Sequence, residues 1–401
     1  MLLTCIFLFL YIFSIPSFSG RVNLKFFSYI AMACLALCSL LYILIFDIQK
    51  FFDKRVVFLI LFATHCFFST LLFSNQFRTW LTIALMVLTC IIFLWSFSCI
   101  NNYNLILNII VGSLSLFCIY FIIHYRNEIF MYTSLDKDSS RLGKFFDNVN
   151  QIGSYMSVGV ALSAFYLLFL RGKRNMFMIV PLALFIVVGF LTGSRTFLLS
   201  VVLIFSTLLF LLFKKNKFLF FIIFAALILI FIIFINLPFM SFLKNQFVLF
   251  FKTFTGNTTN SSDISAIQRV VWQEYGFNLG SFNLIFGYGQ DGFSIYSNTG
   301  SYSHANFSEL MCNFGVIGFV LFYSIFILNF CCALKSKSIY RNLIFTIVVF
   351  YICSGFLLVF YYQKDTYLIL ALMIFLNQDT SFKQSKPDKM IDSLGFMEVI
   401  C

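Results

Sequence analysis

The sequence predicts an all-α membrane protein, a polytopic bundle of about twelve transmembrane helices with one large extracytoplasmic loop. Hydrophobic residues make up 61% of the 401 residues and charged residues only 10%. So little polar surface cannot cover the core of a soluble domain. Apolar runs of about 18 to 22 residues recur along the chain, and this length crosses the hydrocarbon core of a bilayer as a helix.

The predicted spans are bounded by the polar or basic residues that interrupt each apolar run. They cover residues 2–19, 26–46, 56–73, 79–100, 105–123, 152–170, 175–193, 196–213, 218–236, 315–334, 342–361 and 366–377. No Lys or Arg precedes the first run, so a cleaved signal peptide is not favoured. We expect a single integral-membrane domain at residues 1–377, which includes an outer loop at 237–314, and a disordered cytoplasmic tail at 378–401.

Basic residues cluster in the short segments on one side of the predicted bundle. Fifteen of the 27 Lys and Arg residues lie there, three in each of the segments 50–55, 171–174, 214–217, 335–341 and 383–389. Positive charge marks the cytoplasmic side, so we predict a multi-pass protein of the cytoplasmic membrane with both termini inside. The net charge of +12 is then explained by topology and by anionic lipid headgroups rather than by nucleic acid.

Several classes of chemistry lack their signatures. Most of the 12 cysteines lie inside apolar runs, without the spacing of a zinc site or a disulfide framework. A Gly-rich loop with Lys and Ser or Thr, which would bind a nucleotide phosphate, is also missing. Asp136-Lys-Asp138 matches the Asp-x-Asp pattern of nucleotide-sugar enzymes, but two residues give a weak signal. We therefore expect neither a metal nor another cofactor.

Three arginine segments fall on the predicted outer face. Arg141 precedes Asn148 and Asn150, Arg195 ends the turn Thr192-Gly-Ser-Arg195, and Arg269 lies on a predicted amphipathic helix at 264–279. Each arginine by itself is compatible with an interfacial anchor or a lipid contact. Together they favour an anion site, because the guanidinium group binds phosphate through two parallel hydrogen bonds. On that helix Ile267, Val270, Val271 and Trp272 are predicted to face lipid.

The outer loop ends in a block that contains Gly287-Tyr288-Gly289, His304, Asn306 and Glu309, followed by Gly315 and Gly318. His304 is one of only three histidines. It stands in a polar segment just before a helix, where a titratable imidazole can act as a base.

The ordered set of motifs resembles the bacterial O-antigen polymerases and the related O-antigen ligases. Their Gly-x-Gly, His and Gly-x-x-Gly block matches residues 287–318, their Arg–Gly–Asn-Pro-Asn segment matches 141–150, and their Thr-Gly-Ser-Arg turn matches 192–195. Two positions depart from the pattern, since Val149 replaces the Pro and Ala305 stands where Asn follows the His. The resemblance covers most of the chain.

The resemblance implies glycosyl transfer from an undecaprenyl-diphosphate-linked oligosaccharide at the outer face of the membrane, without a metal. It assigns catalysis to Arg195, Arg269 and His304. It assigns substrate binding to a larger set: Arg141, Asn150, Gly287, Tyr288, Gly289, Asn306 and Glu309. The Gly287–Gly289 turn is expected to let backbone approach the glycan. A chain-length regulator and a flippase are implied as partners.

Three functions remain open from the sequence. The first is a polymerase of O-antigen or capsule, the second is a ligase that passes the finished glycan to another acceptor, and both share this donor and these motifs. The third is a flippase or transporter of lipid-linked oligosaccharides. Transporters tend to show internal repeats and charged residues at mid-membrane, and the sequence shows no clear repeat and few charges within its spans.

Overall fold

The computed structural model describes residues 1–18, 25–46, 53–74, 76–131, 142, 146, 148–170, 173–225 and 264–382. The described residues form helices joined by turns and contain no β-strand. The helices are α1 (Leu2–Phe18), α2 (Lys25–Phe46), α3 (Lys54–Phe73), α4 (Phe77–Ile100), α5 (Tyr103–His124), α6 (Arg126–Met131), α7 (Val149–Phe169), α8 (Ile179–Leu191), α9 (Arg195–Lys215), α10 (Ile264–Phe282), α11 (Gly292–Tyr296), α12 (Asn306–Lys335), α13 (Arg341–Ser354) and α14 (Lys364–Phe382). A 3-10 turn at Lys173–Met178 precedes α8.

The prediction of a polytopic helical membrane protein is confirmed. Within the described ranges, seven helices are long and apolar enough to cross a bilayer: α2, α3, α4, α5, α7, α9 and α12. Three shorter apolar helices accompany them, at Leu2–Phe18, Asn175–Leu191 and Arg341–Ser354. Of the predicted span 218–236, only residues 218–225 are described, and they are helical.

Three predicted spans differ clearly in their bounds from the helices, and one of them, at 315–334, lies within the longer helix Asn306–Lys335. The span predicted at 342–361 ends as a helix at Ser354, and the chain then turns at Gly355. The span predicted at 366–377 is longer and continues to Phe382. Hydropathy did not separate these cases, because the turn after Ser354 is itself built from apolar residues.

Helix α7 lies at the centre of the bundle, where it packs against α5, α8, α9 and α13. Of its apolar stretch, 89% is buried within the protein. Small residues allow this close contact. If a Cβ atom were added to Gly153, it would lie 3.0 Å from the Cβ of Ser194, and a Cβ atom added to Gly159 would lie 2.6 Å from the ring of Phe185. Between helices in a membrane, small residues of this kind let backbones approach.

Polar contacts show which helix termini lie together at each end of the bundle. At one end, Asn150 meets Ser194 and Ser154 meets Asp365, which brings the starts of α7, α9 and α14 together. The end of α3 belongs to the same end, since Thr70 accepts a hydrogen bond from the backbone of Gln290. We call this the site end.

At the opposite end, Lys215 of α9 lies over the ring of Phe169 of α7, and Tyr340, just before α13, donates to Asn104 of α5. The start of α9, which carries Arg195, therefore lies away from this end, together with Asn150.

A partly buried ion pair ties three helices at the opposite end. Arg55 bonds both carboxylate oxygens of Asp53 at 2.6 and 2.8 Å, and the same guanidinium donates to Asn329 of α12 and to the Ile374 carbonyl of α14. The two side chains are only 11% and 14% exposed. Burial raises the pKa of Asp53, but the hydrogen bonds and charge of Arg55 outweigh it and bring the pKa below its ordinary value.

Replacing Asp53 with Asn is expected to lower the free energy of unfolding by about 3 kcal/mol, because the buried guanidinium loses its counter-charge. Thermal unfolding in detergent measures the change, and the exposed Lys335→Ala on α12 is the control. Since the folded-state pKa of Asp53 is lowered, the pair stabilises the protein at neutral pH and this contribution is lost only as the pH falls through that pKa. Equal stability of D53N and the control would contradict the assignment.

Candidate functional site

Helix α12 is broken at Gly315, and the break organises the candidate site. Gly315 has φ 62 and ψ −167, a backbone conformation that interrupts the helix between Asn306 and Lys335. A break of this kind leaves carbonyl groups without partners before it and N–H groups without partners after it. The sequence analysis placed the start of the tenth span at this residue.

The Gly287-Tyr288-Gly289 turn and the residues just before it supply those partners. The backbone N–H groups of Tyr288 and Gly289 donate to the carbonyls of Cys312 and Asn313 at 2.9 and 2.7 Å, and the N–H of Val316 donates to the Leu284 carbonyl at 2.8 Å. These backbone groups at the interruption are therefore paired, as burial requires.

The two turn glycines allow close approach to the protein itself. A Cβ on Gly287 would lie 2.4 Å from the Phe314 nitrogen, and one on Gly289 would lie 2.8 Å from the Thr70 Cα. The space on the Cβ side of both glycines is therefore filled by α12 and α3, and the expected approach of this turn to a glycan stays a prediction. Tyr288 stays half-buried, with its ring 4.5 Å from that of Tyr296.

His304 is held by two aromatic rings in a left-handed backbone conformation. Its φ is 66, which is uncommon outside glycine and costs energy that the surroundings must supply. The imidazole stacks on Trp272 with centroids 5.3 Å apart and planes 8° apart, and Tyr302 lies 4.3 Å away. Among the described residues, neither ring nitrogen has a hydrogen-bond partner, so the ring edge is available to a ligand.

Arg269 lies on α10, one helical turn before Trp272. Burial, followed by the positive charge of Arg269, lowers the pKa of His304 to about 4 from 6.5. The imidazole is consequently neutral at physiological pH, the form that accepts a proton.

The position of α10 follows from its glycines. Gly276 and Gly280 lie one turn apart, and a Cβ on them would come 3.2 Å from Ser308 and 3.0 Å from the Met311 carbonyl of α12. The predicted helix at 264–279 is therefore present, but Trp272 turns to His304 instead of lipid. Val270 and Val271 are exposed as expected, whereas the side chain of Ile267 lies outside the described residues.

Buried polar groups form one connected network that begins at Ser303, the residue before His304. Glu309 accepts hydrogen bonds from the Ser303 N–H and the Asn313 side chain, and Asn313 also donates to the Tyr361 hydroxyl. Tyr361 in turn donates to Gln290. Glu309 is 3% exposed and Asn313 is fully buried, so the network belongs to the interior of the site.

The Asn306 side chain is committed to the protein. Its amide nitrogen donates to Tyr323, and its oxygen accepts from the backbone N–H groups of Phe360 and Tyr361, at distances typical of strong hydrogen bonds. Asn306 was predicted to bind substrate, but it is fully buried. Its geometry fits the fixing of the turn between α13 and α14.

The other two motifs meet at the start of α9. Ser194 caps this helix by accepting from the Phe197 N–H, and its hydroxyl donates to the Asn150 side chain at 3.1 Å. Asn148 caps α7 in the same way through the Asn150 N–H. Arg195 is the first residue of α9, but its side chain, like all of Arg141, lies outside the described residues.

The sequence analysis missed Asp365. It is 4% exposed at the start of α14 and accepts a hydrogen bond from Ser154, one turn after Asn150 on α7. Tyr361 of the buried network lies four residues earlier, so residues 361–365 connect both halves of the site. The usable signal was a carboxylate at the edge of an apolar span, which is costly without a partner.

No group of three or more His, Cys, Asp or Glu side chains lies together in the described part of the chain. This part therefore offers no candidate metal centre.

Gly315→Ala is expected to destabilise the protein strongly and abolish activity, because its Cβ would lie 2.4 Å from the Ile285 carbonyl oxygen. Gly300→Ala is the matched control, since Gly300 has nearly the same φ of 63 with nothing within 4 Å of its Cβ. The control should cost only about 1–2 kcal/mol of backbone strain. Thermal unfolding of both variants separates the cost of backbone strain from the cost of the steric clash. Similar losses of stability in the two variants would argue against the helix break at Gly315 as an organising feature.

The neutral form of His304, followed by NMR of the imidazole, should be constant from about pH 8 to about pH 5 and fall with an apparent pKa of about 4. Arg269→Gln removes the second cause of the lowered pKa, so the apparent pKa of His304 should rise. Burial should still hold this pKa below 6.5. Arg126→Gln, the same charge change at an exposed position of α6, should leave the profile unchanged. An unchanged apparent pKa in R269Q would show that Arg269 does not influence the protonation of His304.

Comparison with known families gives one match. Residues 180–323 fit the model of the O-antigen ligase family, a range of about a third of the chain that includes Thr192–Arg195, α10, the Gly287–Gly289 turn and His304. Among curated proteins there is no match. Residues 180–323 are thus similar to the O-antigen ligase family, which is consistent with the O-antigen polymerase and ligase family that the motifs predicted.

Proposed function

We propose that the protein is a surface-polysaccharide polymerase that joins undecaprenyl-diphosphate-linked repeat units of O-antigen or capsule at the outer face of the cytoplasmic membrane. The observation that carries the proposal is the stacking of His304 on Trp272, one helical turn after Arg269. The neutral imidazole, whose ring nitrogens have no partner among the described residues, lies within the influence of the Arg269 charge, in a region that fits the O-antigen ligase family.

In the proposed reaction, a sugar hydroxyl of the acceptor attacks the anomeric carbon of the donor glycan. The new bond joins the acceptor oxygen to that carbon, and the bond from the carbon to the polyprenyl diphosphate breaks. His304 takes the hydroxyl proton, and the diphosphate leaves with the bonding electron pair. Arg269 stabilises the negative charge that grows on the leaving group, which lowers the barrier because that charge is larger in the transition state.

The start of α9 is the proposed second anion contact. Arg195 begins this helix, whose first N–H groups have no intrahelical partner and favour negative charge. The bond between Ser194 and Asn150 fixes the start of the helix against α7. Arg141 remains a predicted third contact. With two or three arginines as countercharge, the proposed reaction needs no metal.

A ligase is the second candidate, because the family whose model matches is described as an O-antigen ligase. A ligase would use the same donor and the same residues but would transfer the finished glycan to a different acceptor. The proposed topology, with both termini in the cytoplasm and the site end outside, suits either enzyme. A flippase and a chain-length regulator are proposed partners of the polymerase.

The distinguishing experiment displays surface polysaccharide by length on a gel from cells that carry His304→Ala, Arg269→Ala, Arg269→Lys or Arg195→Lys. H304A and R269A should lower the amount of polymer by about a hundredfold, as expected for loss of a general base or of a charge stabiliser. R269K should retain part of the activity, since lysine keeps the charge but lacks the two-pronged geometry.

Membrane levels must match in all variants, and the exposed Arg126→Ala on α6 should give a normal ladder. Collapse to single repeat units supports the polymerase. Long chains that never reach their final acceptor would favour the ligase. A normal ladder in every variant would contradict both the polymerase and the ligase proposals and would favour a transport function.

A further inference from the structure

The buried carboxylate of Glu309 contacts the residue immediately before His304. Its Oε2 accepts a hydrogen bond from the Ser303 N–H at 2.6 Å, and its Oε1 accepts one from the Asn313 side chain at 3.2 Å. Burial raises the pKa of Glu309 to about 7, and the hydrogen bonds from Ser303 and Asn313 oppose that rise. Since Glu309 is 3% exposed, direct contact with a substrate, as the sequence predicted, does not fit its position.

The residues on both sides of His304 are fixed by hydrogen bonds. Glu309 holds the N–H of Ser303 before it. The Ser303 hydroxyl bonds Ser308 and the Ala305 carbonyl after it, at 2.9 and 3.1 Å. His304 between them keeps the left-handed φ of 66, a conformation that persists only where neighbouring contacts determine it.

Only a carboxylate satisfies both partners of residue 309. The Ser303 N–H and the Asn313 amide are both donors, and Asn313 cannot turn around. Its Oδ1 already accepts from the Phe293 N–H at 2.8 Å, and its Nδ2 also donates to Tyr361. A glutamine at position 309 would bond one donor and direct its own NH₂ group at the other, leaving a buried donor unsatisfied.

We propose that Glu309 is a positioning residue for His304, which keeps the imidazole in its left-handed turn by accepting from Ser303 while Asn313 anchors the carboxylate to α12. The inference rests on the proposed role of His304 as the base. It places Glu309 in the reaction without contact to the substrate.

The test exchanges donor and acceptor between positions 309 and 313. Glu309→Gln and Asn313→Asp each create a mismatch. In the double variant, the amide introduced at position 309 can donate to the carboxylate introduced at position 313, while its carbonyl oxygen still accepts from Ser303. Turnover is measured in detergent with lipid-linked repeat units extracted from host cells that lack the gene. Glu274→Gln, at an exposed position of α10, is the control with unchanged activity.

Glu309→Gln should lower kcat by about tenfold, the effect of one buried unsatisfied donor, and leave KM within about twofold. Asn313→Asp should cost a similar factor. The double variant should recover part of the lost kcat, a coupling that independent sites would not show, although the Tyr361 hydroxyl still lacks the donor that Asn313 supplied. If E309Q alone fails to fold, the double variant should restore folded protein and turnover together.

The outcomes separate this inference from the proposed function. If His304→Ala keeps normal turnover, the role of His304 itself is wrong. If His304→Ala is inactive but E309Q raises only KM, Glu309 contacts substrate and the positioning role is overturned. Losses that multiply in a folded double variant overturn it as well.

Discussion

The backbone pairing across the break in α12 is the constraint on which the candidate site depends. In a membrane protein an unpaired backbone group is expensive, so the interruption at Gly315 requires another segment to pair with it. The segment at 284–289 does so through hydrogen bonds in both directions. This arrangement fixes the segment before α12 against the bundle, and with it the short helical stretch that carries Asn306, Glu309 and Asn313.

From this fixed stretch, side chains reach several other elements of the site end. Asn306 holds the turn between α13 and α14, Asn313 holds the start of α11 through Phe293, and Glu309 holds the turn of His304. Each of these polar groups has a defined donor or acceptor role, and a fully satisfied buried network specifies one geometry. The strain at His304 is tolerated because these contacts surround it.

The same packing produces the electrostatics of the site. The aromatic environment of His304 and the nearby charge of Arg269 both disfavour the imidazolium ion, so the ring stays neutral well below physiological pH. A charge in such a partly dry site acts on its neighbours more strongly than in water. In the proposed reaction, Arg269 would add to the effect of burial in keeping His304 unprotonated and would also favour an anionic leaving group.

The sequence by itself determined the helical membrane fold, most helix bounds and the helix predicted at 264–279, because hydropathy and charge act locally along the chain. It did not determine which helices the Gly287–Gly289 turn contacts or that Trp272 stacks on His304. It also did not determine that Asn306 is buried or that Asp365 bonds Ser154. Those features join residues far apart in sequence, such as Asn313 and Tyr361, or Ser154 and Asp365. Only the packing of the helices decides which distant polar groups meet, since each buried donor must find the one acceptor that the fold brings to it.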